Sequence, residues 1–87
     1  MPSYSQHSGE DIDHAIIIDN AKNTSEGIEA EYIYLARQYG QRGRDWQLKL
    51  QRLMHHEGKH YDLMHIVLRD GSEKQIYFDI TAFFGKF

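Results

Sequence analysis

Two groups of residues in this chain have the types and spacing that chemistry needs. The first is His56-Glu57-Gly58-Lys59-His60, in which two imidazoles stand four residues apart with a carboxylate between them. On a helix that spacing puts both rings on one face, one turn apart, where two imidazoles could share a metal ion. The second group is Lys49, His65 and Asp79. A carboxylate beside a histidine orients the imidazole and raises its basicity, as a general base requires. Neither group can act unless the surrounding elements bring its members together.

Residues 46–81 hold both groups and read as three consecutive antiparallel strands. Trp46, Leu48 and Leu50 alternate with Gln47, Lys49 and Gln51, the period of a half-buried strand. A helix over the same residues would leave Leu48 off its apolar face and put Gly58 in its middle. Residues 61–68 become β-branched towards their end, residues 69–74 carry a turn signal at Asp70-Gly71, and residues 75–81 alternate as a strand. Partners across a ladder share a face. Burying the fully apolar set therefore predicts Ile66 opposite Phe78, Leu68 opposite Ile76, Leu50 opposite Met64 and Leu48 opposite Ile66. That register leaves a three-residue loop, His56-Glu57-Gly58, closed by a left-handed glycine.

Upstream, Ala15-Ile16-Ile17-Ile18 reads as a buried strand. A helix follows over residues 24–39, capped by Asn23, Thr24 or Ser25 and stopped at Gly40. Ile28, Tyr32, Leu35, Ala36 and Tyr39 form its apolar face, and Glu26, Glu29 and Glu31 sit near its positive end. The expected fold is α+β, ordered β-α-β-β-β, with one amphipathic helix packed on an antiparallel meander. Residues 1–11 are polar and expected to be disordered or loosely attached, leaving residues 12–87 as a single domain.

The same register aligns the face away from the helix. Lys49, His65 and Asp79 form one cross-strand row; Gln47, Val67 and Tyr77 form a second; Gln51, Leu63 and Thr81 a third; Leu53, Tyr61 and Phe83 a fourth. This face is too apolar for plain solvent surface and too polar for a core, the mark of an interface or a shallow site. With the aromatic end of the chain, the candidate binding residues are Tyr61, Leu63, Val67, Tyr77, Phe83, Phe84 and Phe87. His65, Asp79 and Lys49 are the catalytic candidates, although no nucleophile stands out beside them.

The five residues from His56 to His60 resemble the HExxH motif of zinc proteases, and the resemblance stops there. A metal reading makes His55, His56 and His60 the candidate ligands. The hairpin reading instead splays His56 and His60 apart and makes the run a hydrophilic turn, so no cofactor is expected and zinc is the one exception the histidines would allow.

Charge is distributed unevenly. The net charge is −3, but residues 1–36 hold seven acids against one base, and residues 37–60 hold six bases against two acids. Arg37, Arg42, Arg44 and Arg52 lie near Trp46, Tyr34 and Tyr39, a mixture able to hold a single-stranded nucleic acid. The acidic whole argues against that partner. With 87 residues and no cysteine, the chain has no disulfide or thiol chemistry, and a chain this size buries only ~60–65 % of its unfolded surface. No apolar run approaches a membrane span. The expectation is a small cytoplasmic binding protein that pairs with itself or with a protein partner through the mixed face and the aromatic tail, with a metal-binding protein or enzyme using His65/Asp79 or the His56/His60 hairpin as the alternative.

Overall fold

The computed structural model describes residues 2–86. Its elements are β1 (Ser3–Tyr4), β2 (Ile16–Asp19), α1 (Thr24–Tyr39), β3 (Trp46–His56), β4 (Lys59–Leu68) and β5 (Glu73–Asp79). The class is α+β, with one helix and one five-stranded sheet in the order β1-β2-β5-β4-β3. No helix among the described residues is long and apolar enough to cross a membrane.

Helix α1 has the predicted bounds and start. Asn23 is its cap, and its Oδ1 accepts the Glu26 N–H at 2.9 Å, satisfying one of the orphan donors of the first turn. The buried face overlaps the predicted one at Leu35, with Tyr32 and Tyr39 packed against the core, but is turned away from it elsewhere. Gly27, Ala30, Glu31 and Leu35 are buried, whereas Ile28 and Ile33 stay 37 % and 38 % exposed. The stripe has moved by one residue, a rotation of about 100°. Size explains the rotation. Gly27 has no side chain and Ala30 only a methyl, and the helix approaches the Phe83 ring closely at Gly27. A methyl group on Gly27 would stand 2.3 Å from the Phe83 ring. Glu31, expected near solvent at the positive end of the helix, turns inward as a consequence.

Strands β3, β4 and β5 form the predicted antiparallel meander, but the whole sheet is mixed. β2 lies parallel to β5, with Ile16 opposite Phe78 and Ile17 opposite Asp79. The α1 crossover returns the chain far from β2, so β2 can serve as the outer neighbour of the last strand and run in its direction. The core is the face that this arrangement shares with the helix: Ile16, Ile18, Leu35, Trp46, Met64, Ile66, Ile76, Phe78, Ile80 and Phe83. That face is called A here and the opposite one B.

Both hairpin registers differ from the predicted ones. In β3–β4, Leu48 does face Ile66, but a bulge follows, and Leu50 faces His65 while Gln51 faces Met64. The extra residue reverses the alternation of β3. Leu50 moves from the core side to face B, and Gln51, Leu53 and His55 move to face A. The turn shortens to two residues, with Glu57 and Gly58 at φ 50° and 78°, the backbone of a type I′ hairpin. The three-residue loop with a left-handed final glycine occurs in the other hairpin. There Gly71, at φ 90°, ends Arg69-Asp70-Gly71; its N–H bonds Leu68 O at 2.9 Å, and Leu68 N–H bonds Ser72 O at 2.7 Å. This tighter closure slides β5 along β4 by four residues, so Met64 faces Ile76, Asp62 faces Phe78 and Ile66 faces Lys74. An even slide keeps every apolar residue on its face; only the pairings change.

The opening residues, expected to hang loosely, are held against the sheet. Ser5 N–H bonds Ile17 O at 3.0 Å and Tyr77 N–H bonds Gly9 O at 2.7 Å. The Tyr4 hydroxyl donates to Ala30 O at 2.6 Å. Gly9 is buried at φ 77°, where a methyl group would stand 2.8 Å from Ile16 Cδ1.

Candidate functional site

No helix covers face B, which gathers side chains from β2, β3, β4 and β5. Its middle is an apolar strip in which Leu50, 48 % exposed, lies opposite His65, and Arg52 and Tyr77 flank Leu63. Leu63 and Tyr61 are 6 % exposed, so they form the floor of the face. Val67 and Tyr77 are half-buried and accessible.

Beside the strip lies a charged cluster. His65 Nε2 is 2.6 Å from Glu73 Oε1, and Lys49 Nζ donates to the same oxygen at 3.0 Å. The Lys49 contact, and next that of His65, hold the Glu73 carboxyl below its ordinary range. The predicted row thus keeps Lys49 and His65 together and exchanges its acid. The four-residue slide of β5 puts Gln75 opposite His65 and sends Asp79 to Tyr61, while Glu73 reaches His65 from the next same-face position. Asp79 Oδ1 accepts the Thr81 N–H at 3.0 Å instead. Glu73 was missed because its residue number lay in the predicted loop. A histidine beside a carboxylate has the form of a general base. No hydroxyl among the described residues is hydrogen-bonded to His65, so no side-chain nucleophile is paired with it, and Lys49, His65 and Glu73 form a polar cluster across three strands.

The end of face B is a polar cleft of ≈ 300 Å³, walled by residues from 7–17, by the β3–β4 tip, and by Tyr61 and Asp79. Burial, and after it the negative charges of Asp79, Glu57 and Asp13, push the Tyr61 phenol above its usual value. His7 Nδ1 is engaged with Ala15 O at 3.0 Å, which holds that wall in place. Sequence reasoning missed this cleft because its roof comes from the opening segment that polarity marks as loose.

The remaining candidates scatter. Phe83 is 1 % exposed and packs in the core, because the turn after Ile80, with Phe83 N–H on Ile80 O at 3.1 Å, carries it to face A. Phe84 is 39 % exposed and also lies on that side, stacked on His60 at 3.9 Å. Phe87 lies outside the described residues. Trp46 is 2 % exposed with its Nε1–H bonded to Gly40 O at 2.8 Å, so it offers no platform for a base. Arg42 lies over the Tyr32 ring at 5.0 Å, and Arg44 pairs with Asp45 at 3.1 Å. Arg37 points from α1 while Arg52 sits on face B, so the basic segment forms no continuous groove.

The histidines of the five-residue motif part as the hairpin predicts. His56 faces Lys59 on face B, while His55 faces His60 on face A. The zinc-protease arrangement of His56 and His60 is therefore not built. One group of three possible metal-ligating side chains, Glu10, Asp11 and His14, lies together elsewhere among the described residues. It is exposed, and His14 Nδ1 is already 2.7 Å from Asp11 Oδ1.

One buried charge stands apart from all of these. Glu31 is fully buried, and neither of its carboxyl oxygens has a hydrogen-bond partner. Asp62, 6 % exposed on β4, is near enough to act on it, although the two carboxyls do not meet in hydrogen-bond geometry. Burial foremost, then Asp62, pushes the Glu31 carboxyl up to about 10.

Comparison with protein-family models, with curated proteins and with solved structures finds no match.

Proposed function

We propose that this protein acts by binding, as a homodimer whose two copies meet through face B. The observation that carries the reading is Leu50, an apolar side chain left half exposed beside Val67 and Tyr77 on the one sheet face without a helix. A second copy suits this face better than an unrelated partner, because the charges around the strip are of both signs. Lys49 and Glu73 pair at one border of the strip and Arg52 lies on β3 beyond it, so a two-fold axis through the strip lets each copy's Arg52 approach the other's Glu73. The small core of an 87-residue chain makes further burial by association worthwhile.

Sedimentation at tens of micromolar tests the proposal. The wild type should sediment as a dimer, and Leu50→Glu and Tyr77→Ala should each shift it to monomer without loss of folded signal. A monomeric wild type at that concentration would refute the reading.

A second reading rests on the cleft. Tyr61 opens into it with no hydrogen-bond partner for its hydroxyl among the described residues, beside acids that outnumber the single lysine. That setting favours a small ligand carrying a protonated amine. Titration with putrescine, followed by amide shifts at residues 59–61 and 79, tests it; shifts that persist in Tyr61→Phe/Asp79→Asn would sink it.

A further inference from the structure

His55 and His60 lie directly opposite each other across the β3–β4 ladder, next to the tip. Their Nδ1 atoms converge to 2.6 Å, and the rings meet edge to face with centroids 4.6 Å apart. The His60 ring is packed, while that of His55 is exposed. Phe84 stacks on His60 at 3.9 Å with 15° between the planes, and its ring centroid is 5.8 Å from that of His55. The backbone beneath is fixed too, since His60 N–H bonds Thr81 Oγ1 at 3.0 Å and Ile80 N–H bonds His60 O at 2.9 Å. Two imidazole nitrogens thereby lie within reach of a single ion on face A, away from the face proposed for dimerisation.

We propose that His55 and His60 form a two-point chelating clip for a divalent transition-metal ion of tetragonal preference, copper(II) above all. The argument is geometric. With metal–nitrogen bonds of about 2.0 Å, two nitrogens 2.6 Å apart subtend about 80° at the metal. A tetragonal ion asks for about 90° between neighbouring ligands and needs the rings to part by a few tenths of an ångström. A tetrahedral zinc ion asks for about 109°, or a separation of about 3.3 Å, which would pull His60 off Phe84. Imidazole nitrogen suits copper(II), and copper(II) heads the divalent affinity order. In the metal-free pair the two Nδ1 atoms are within hydrogen-bond distance, with donor and acceptor set by the tautomers. Metal binding uses both Nδ1 lone pairs, so a ring that carries its proton on Nδ1 shifts it to Nε2. The other coordination positions are open to water. His56, one residue away in sequence, points to face B and takes no part.

The experiment is a calorimetric titration of the full chain with copper(II) and, separately, with zinc(II), in a non-coordinating buffer. It is run on a His14→Ala background so that the Glu10/Asp11 cluster does not compete. Nitrogen couplings in the copper electron-resonance spectrum give the second readout. One copper per chain with two coupled nitrogens is expected, with at least tenfold weaker zinc binding. His55→Ala and His60→Ala should each weaken copper binding at least tenfold, while His56→Ala leaves it unchanged; all four chains should keep the same far-ultraviolet spectrum. Phe84→Leu frees the His60 ring without removing a ligand and should narrow the copper-over-zinc preference. Equal losses from His56→Ala and His60→Ala, or binding retained in the double variant, would mean an adventitious ion only and overturn the proposal.

Discussion

Replacing Glu31 by glutamine should stabilise this protein, by an amount that grows with pH. Glu31 carries its proton in the folded state up to about pH 10, against an ordinary value of 4.5. The folded pKa is raised, so the stability linked to this group is fully present below about pH 4.5. It is lost progressively as pH rises towards 10, because the unfolded chain releases the proton and the folded chain retains it. Each pH unit in that window costs about 1.4 kcal/mol, so the cost at pH 7 is about 3 kcal/mol. Glutamine matches the shape of the protonated acid and cannot ionise in the unfolded chain, which removes the cost. Urea unfolding of wild type and Glu31→Gln at several pH values between 5 and 9 measures the effect. The two stabilities should nearly coincide at pH 5 and diverge by about 1.4 kcal/mol per pH unit above it. Asp62→Asn removes a lesser cause of the shift and should leave the divergence smaller but present. A difference that does not change with pH would show that Glu31 is ionised in the fold and refute the reasoning, whereas a constant offset added to the pH-dependent divergence reports only the burial of the glutamine amide.

Three further outcomes follow from the packing and the turns. Gly27→Ala puts a methyl group 2.3 Å from the Phe83 ring; overpacking should exceed the gain in helix propensity and cost about 1–2 kcal/mol in thermal unfolding, with partial recovery in Gly27→Ala/Phe83→Leu. Glu57→Asn creates the Asn-Gly pair that a type I′ turn prefers at φ 50° and 78°, and should raise the melting temperature, whereas Gly58→Ala should lower it by about 1 kcal/mol of strain. Asn23→Ala removes the bond to Glu26 N–H and should cost about 1 kcal/mol in denaturant unfolding.

The two misplaced registers show where local pattern stops being informative. Apolar alternation assigns Ile66, Phe78 and Ile76 to a common face, but any even slide satisfies it equally. The choice among slides falls to the turns, and Glu57-Gly58 and Asp70-Gly71 each fit more than one loop length. The bulge in β3 leaves no mark in residue type, yet it moves Leu50 to the open face and His55 to the other. Every functional reading of β3 depends on that one extra residue. The helix rotation is different, for the sequence held a signal: Gly27 and Ala30, small and three apart, mark the side on which α1 can approach the sheet most closely.

The sequence by itself determined the α+β class, the bounds and stop of α1 and the strand character of β5; it narrowed the cap to Asn23, Thr24 or Ser25 and favoured over a helix the β3–β4 hairpin that separates His56 from His60. These follow from periodicity, from capping chemistry and from glycine positions, all of which act within a few residues. Only the tertiary structure decided that β2 runs parallel beside β5, that residues 3–9 dock on the sheet, that Glu73 and not Asp79 meets His65, and that Glu31 is buried near Asp62. Each depends on which distant surfaces meet, and side-chain volume and closure of the sheet govern that choice more than any local preference.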